Sequence, residues 1–115
     1  MVDVLDPQIG LQLATELPPH VFAEVLRSFE ADLSRLVGEM RQTTEKGDLD
    51  GCRRSAHALA GTAASIGAQA LERLARQALG PAPPSPDREG LREIEETLRA
   101  TLDALRALSG SLSSR

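Results

Sequence analysis

Residues 56 to 67 read Ala-His-Ala-Leu-Ala-Gly-Thr-Ala-Ala-Ser-Ile-Gly, and the rest of the fold can be worked out from this stretch. On a helical wheel of ~100° per residue, one apolar stripe emerges from residues 49–66: Leu49, Cys52, Ala56, Leu59, Ala63 and Ile66. His57 falls roughly 120° from the centre of that stripe on the same wheel. The pattern therefore predicts a helix with a buried apolar face and an imidazole that reaches solvent.

The residues around His57 on this helix are unusually small. Ala60 and Gly61 follow one turn later and Ala64 two turns later, so we expect no long side chain from these positions to fold over the ring. Glycine inside a helix costs about 1 kcal/mol relative to alanine. We interpret Gly61 as a residue that gives clearance around His57 at the expense of helix stability.

Length and composition favour one helical domain. The chain has 115 residues, no Trp or Tyr and only two Phe, and it is rich in Ala, Leu, Glu and Arg. Its net charge of −4 argues against a nucleic-acid partner, which normally needs a basic face. No apolar run approaches a membrane span and no signal peptide opens the chain, so we expect a cytoplasmic protein without membrane contact.

Capping residues, prolines and apolar spacing predict five helices. Asp6-Pro7, Pro18-Pro19 and Gly47-Asp48 mark starts or ends, Gly67 marks a tight corner, and the proline-rich residues 80–86 form a loop before a helix capped by Ser85 or Asp87. The predicted helices span 7–16, 19–46, 49–66, 68–79 and 87–109. The four longer ones suit an all-α, antiparallel up-down-up-down four-helix bundle, with the short N-terminal helix lying across its end.

The motif Ala56-His57-x-Leu59-x-Gly61, followed by Ile66-Gly67-Ala68 and Leu71, resembles the signature of histidine-containing phosphotransfer (HPt) domains. The resemblance is densest over residues 56–79, and the helix pattern extends it across nearly all of the chain. It implies a single HPt-like domain over residues 1–115, in which His57 is the phosphoacceptor.

Two positions depart from the family's pattern. The lysine often found before the glycine is Ala60 here, and the glutamate that often closes the next helix is absent, with Leu79 and Gly80 in that region. The lysine is expected to steady the phosphoryl group. Arg53, one turn before His57 on the same side of the wheel, can pair with phosphate oxygens in its place. The expected phosphate environment is therefore Arg53, Ala60, Gly61 and Ala64.

Other chemistries fit the sequence poorly. Neither position four residues from His57 carries a metal ligand, since Arg53 and Gly61 stand there, so we expect no metal site. His20 has no companion at a matching spacing, and Cys52 lies on the apolar stripe, where a packed thiol is expected. The chain has no phosphate-cradling loop or kinase motif, so we do not expect it to phosphorylate itself from ATP.

Two functions remain open at this point. In the first, the resemblance implies a phosphorelay carrier that accepts a phosphoryl group from a receiver-domain aspartate on His57 and passes it to another receiver. It would have no cofactor of its own, because the receiver brings the magnesium ion. In the second, the chain is a docking module that controls a receiver or a histidine kinase by binding alone. In either case the expected partners are response-regulator receivers and a hybrid histidine kinase, and the chain is expected to be monomeric.

Overall fold

Five α-helices and no β-strand make up the part of the chain that the computed structural model describes, residues 4–80 and 87–113, with side chains as far as residue 110. The helices are Pro7–Glu16 (α1), Pro19–Lys46 (α2), Leu49–Ile66 (α3), Gln69–Gln77 (α4) and Arg88–Ser113 (α5). Within the described ranges, none of them is long and apolar enough to cross a membrane. Most of the predicted proline-rich loop, including Ser85, lies outside the described residues.

Local capping explains why α1, α2 and α3 have the predicted bounds. The side chain of Asp6 accepts a hydrogen bond from the Gln8 amide at 3.0 Å, ahead of a proline in the first turn of α1. Gly47 ends α2 and Gly67 ends α3, both in the left-handed region at φ 71° and 76°. Because such signals act within a single turn, they can be recognised in the sequence.

The last two helices differ from the prediction. α4 is shorter than 68–79, because Ala68 is its N-cap and residues 78–80 form tight turns in which Leu79 N donates to Arg76 O and Gly80 N to Gln77 O. α5 is capped by Asp87, which accepts from Gly90 N at 2.7 Å, and it continues to Ser113 instead of stopping at 109. Gly110 does not adopt a positive φ, so the helix has no glycine cap at that point.

The core lies along α2, which packs against α3 on one side and α5 on the other, while α4 packs against both α3 and α5. Its largest fully buried apolar side chains come from four helices: Phe22, Leu26, Leu33, Met40, Leu59, Leu71, Ile94 and Leu105. Burying a side chain of this size contributes about 1.5–3 kcal/mol. The buried positions repeat every three or four residues, as expected for helices that each present one face to the core.

Helix α1 is attached at the corner between α3 and α4. The amide of Asp6 donates to the carbonyl of Gly67 at 2.7 Å, and a Cβ on Gly10 would lie 3.0 Å from Leu108 of α5. Leu11 on the outer side is 69% exposed. The short helix thus contacts the bundle through its N-terminus, through Gly10 and through the partly buried Leu13 and Ala14, and it leaves the surface around His57 uncovered.

Ion pairs join α2 to α5 at two levels. Arg41 donates to Glu95 through Nε at 2.6 Å and also through its Nη2, and Arg106 donates to Glu30 at 2.8 Å. The Glu95 carboxylate raises the pKa of Arg41, chiefly through this hydrogen bond. Both arginines are exposed, so these pairs align the two helices more than they stabilise the fold.

Candidate functional site

His57 lies in the middle of α3, whose first turn is capped by Asp48 through a 2.9 Å hydrogen bond from Gly51 N. The side chain is exposed, as predicted. Throughout residues 4–80 and 87–110, no side chain or carbonyl forms a hydrogen bond or ion pair with its ring. The exposed imidazole therefore stands on a helix that is capped by Asp48 at one end and by Gly67 at the other.

The surface on the C-terminal side of His57 is open. A Cβ built on Gly61 would meet nothing within 4 Å, and Gly61 is itself exposed. Ala58 is exposed and Ala64 half-buried. The structure thus offers free space next to the imidazole, which is the clearance predicted from the sequence.

Ala60 requires a correction. It was expected to contribute to the exposed surface around His57, but it is 1% exposed and belongs to the hydrophobic core. α3 packs against α4 as well as α2, so its buried face is wider than the apolar stripe indicates and also includes Gly51 and Ser55. A lysine at position 60 would have to run its stem along packed side chains to bring its ammonium group to solvent.

Leu49 is the second correction on this helix. Its apolar character and its spacing placed it on the buried stripe, but it is 46% exposed. It occupies the first position of α3, directly after the Asp48 cap, and its side chain is exposed although Gly51 and Cys52 in the same turn are buried. The other five members of the stripe are buried, as predicted: Cys52, Ala56, Leu59, Ala63 and Ile66.

Two arginines precede His57, and they lie on different sides of α3. Arg53 reaches towards α4, where its Nη2 donates to the carbonyl oxygen of Leu79 at 3.4 Å. Arg54 lines a groove of about 430 Å³ between α2 and α3, together with Arg35, Glu39, Ala58 and Thr62. Both arginines are exposed, and neither has an acidic partner among the described residues. Two unpaired cations therefore lie one turn from the imidazole.

The contact between Arg53 and Leu79 was not predicted. It joins a side chain and a carbonyl that are 26 residues apart, and no spacing in the sequence signals it. The proposed pairing of Arg53 with phosphate stays a prediction, since the guanidinium is occupied by the end of α4 in this structure.

The remaining candidate residues lie apart from this surface. His20 is exposed in the first turn of α2, and Cys52 is buried with its sulfur 3.5 Å from the hydroxyl of Thr44. The described part of the chain contains no cluster of three or more His, Cys, Asp or Glu side chains that could hold a metal ion. The chemistry available at the site is therefore that of one free imidazole with cationic neighbours.

The sequence profile of the Hpt domain family matches residues 24–108, most of the chain. The chain belongs to the Hpt domain family. The match includes all of α3 and α4 and leaves out α1 and the start of α2. No curated protein and no solved structure matches the chain.

Membership of the Hpt family indicates a role in phosphotransfer in two-component signalling. In this Hpt domain the motif residues occupy different structural positions. Leu59, Ile66 and Leu71 are core residues, Gly67 forms the left-handed corner, and His57 is exposed.

Proposed function

We propose that this Hpt domain carries a phosphoryl group on His57 between receiver domains of a phosphorelay. The single observation that carries the proposal is an exposed imidazole, free of intramolecular partners in the described chain, in the middle of a capped helix beside open space at Gly61. Positioning is the main demand that phosphoryl transfer makes on such a carrier.

The proposed step begins with a neutral ring nitrogen of His57 attacking the phosphorus of an aspartyl phosphate on a receiver. A nitrogen–phosphorus bond forms as the bond from phosphorus to the aspartyl oxygen breaks, and the carboxylate leaves with the electron pair. The other ring nitrogen keeps its proton. Transfer to a second receiver is the same step in reverse, and the magnesium ion is expected on the receiver.

The proposed docking face is the exposed side of α3 with the neighbouring surface of α2. Arg54, Arg35 and Glu39 border the groove between the two helices, so charged groups are available for choosing among receivers. We propose that α2, α3, α4 and α5 run up-down-up-down, since the short links at Gly47-Asp48 and Gly67-Ala68 each favour a reversal of the chain. We also propose that the protein is cytoplasmic and monomeric.

The deciding experiment incubates the protein with a panel of phosphorylated receivers and measures acid-labile, base-stable phosphate. The expected result is phosphate mapped to His57 by mass spectrometry. Binding of a receiver with no phosphate at His57, across the panel and in both directions of transfer, would favour the docking module instead. The docking module remains the alternative because Ala60 stands where the family usually has a lysine.

A further inference from the structure

The contact between Arg53 and Leu79 links the surface next to His57 to the end of α4. Arg53 lies four residues before His57 on α3, a spacing at which Cβ atoms on a helix are ~5–6 Å apart. Leu79 lies just beyond the last residue of α4, Gln77. One guanidinium is therefore within reach of two places, the imidazole and the carbonyl of Leu79.

The bond that Arg53 now makes is a weak one. Its Nη2···O distance of 3.4 Å is long for an N–H···O hydrogen bond, which is normally ~2.9–3.0 Å. The acceptor is an uncharged carbonyl, although it lies at the negative end of the α4 dipole. Among the described residues Arg53 is the hydrogen-bond partner of this oxygen, and the contact is exposed to water.

A phosphoryl group on His57 would be a far better acceptor. It carries about −1.5 to −2 charges and three oxygens, and guanidinium binds such groups through two parallel hydrogen bonds. Charge-assisted bonds of this kind are roughly twice as strong as neutral ones. A guanidinium that turned to form two parallel bonds with the phosphoryl group would draw Nη2 away from a contact that is already long, so phosphorylation would weaken the Leu79 contact.

We propose that Arg53 reports phosphorylation of His57 to the end of α4. It holds the Leu79 carbonyl while the imidazole is unmodified, and it transfers to the phosphoryl group once His57 carries one. The turns at residues 78–80 then lose one side-chain hydrogen bond to α3, while Ala78 stays buried in the core. This inference rests on the proposed function and adds to it a change in the surface, distant in sequence from His57, that a partner can detect.

The turns beyond α4 are suited to such a response. They are held by the i to i+3 hydrogen bonds of Leu79 and Gly80, at 3.1 Å each, and Leu79 is only half-buried. Short-range turns of this kind have poorer hydrogen-bond geometry than an α-helix. Loss of one further bond should therefore increase local opening without disturbing the core residues Leu71, Leu74 and Ala75.

The test uses the full chain labelled with ¹³C and ¹⁵N and phosphorylated with phosphoramidate, or with a phosphorylated receiver. The donor's phosphorus–nitrogen bond breaks, ammonia leaves and the phosphoryl group joins His57, which ³¹P NMR measures. We expect the carbonyl carbon resonance of Leu79 to move, and amide exchange at Gly80 to quicken about twofold, the low end of the range for one hydrogen bond because the Arg53 contact is long and exposed.

Two variants make the test specific. Arg53→Gln should show the altered Leu79 resonance before phosphorylation and little further change after it. Arg99→Gln removes the same charge from an exposed position on α5, away from the proposed docking face, and should respond as the unmodified sequence does.

The two proposals fail in different ways. If His57 is shown to be phosphorylated and the Leu79 carbonyl and Gly80 exchange do not respond, the Arg53 inference is wrong and the carrier function stands. If neither donor places phosphate on His57, the carrier function is wrong, and the Arg53 inference falls with it.

Discussion

Two glycines of α3, Gly51 in its first turn and Gly61 beyond His57, have opposite surroundings. Gly51 is buried, and a Cβ there would lie 2.8 Å from Cγ2 of Thr43 and collide with the Asp48 carboxylate. Gly61 is exposed, and a Cβ there would meet nothing within 4 Å. The same residue type is thus constrained by packing at one end of the helix, whereas at the other end no contact in the described part of the chain constrains it.

The difference separates structure from function along one helix. Gly51 lets α3 approach Thr43 of α2 and keeps the cap from Asp48 undisturbed. Gly61 costs helix stability of about 1 kcal/mol and gains no internal contact in return. We propose that Gly61 is retained because it allows a partner to approach His57 closely.

The largest expected effect comes from removing the acceptor itself. His57→Gln should abolish phosphate incorporation from every receiver that labels the unmodified protein, because the amide nitrogen is not a nucleophile. Since His57 is exposed and without an intramolecular partner in the described structure, helical content and melting temperature should stay nearly constant. Circular dichroism and labelling of the same samples check both halves, and residual label in the variant would locate the acceptor elsewhere.

The most direct test of the comparison between the two glycines is a substitution at Gly61. Gly61→Gln should slow transfer, up to ~100-fold if the new side chain displaces the reacting groups by about 1 Å. The free energy of unfolding should rise by some part of the ~0.5–1 kcal/mol difference in helix propensity. Denaturant melts and transfer rates measured together provide the two quantities.

Gly110→Gln is the matched control for Gly61→Gln. Gly110 is another exposed helical glycine with nothing within 4 Å of a built Cβ, and it lies on α5. Its replacement should leave transfer unchanged. Normal transfer by Gly61→Gln would mean that clearance is not why glycine is present there.

At the other end of the helix the sign of the stability change should reverse. Gly51→Ala should lower the free energy of unfolding by about 1 kcal/mol, since the new methyl group pushes on Thr43 and the Asp48 cap. Transfer by the folded protein should be retained. In an Asp48→Ala background the loss should be smaller, and an unchanged loss in that double-mutant cycle would attribute the clash to Thr43 alone.

The smallest expected effect concerns the phosphate environment. Arg53→Ala should shorten the lifetime of phosphohistidine about two- to fivefold, in keeping with one exposed charge pair. Arg54→Ala serves as the comparison and should have the smaller effect if Arg53 takes the place of the family's lysine. Hydrolysis of the phosphohistidine, followed by ³¹P NMR, gives its lifetime in the unmodified protein and in each variant. Equal lifetimes in all three proteins would mean that Arg53 does not take the place of the family's lysine.

The sequence by itself determined the helical class and the bounds of α1, α2 and α3. Asp6, Pro19, Gly47, Asp48 and Gly67 each act on the turn in which they stand, so their effect does not depend on the rest of the fold. The exposure of His57 followed from its angle on one helix. These features are local, and the residues that cause them are neighbours in the sequence.

Only the tertiary structure decided how much of α3 is buried and what its arginines contact. Ala60 is buried in a helix that packs against α4 as well as α2, and Leu49 is exposed although Gly51 and Cys52 in the same turn are buried. Gly51 is constrained by Thr43, and Arg53 reaches Leu79 across 26 residues. The periodicity of a single helix predicts the centre of its buried face. The edges of that face depend on where the neighbouring helices pack, which the periodicity does not show.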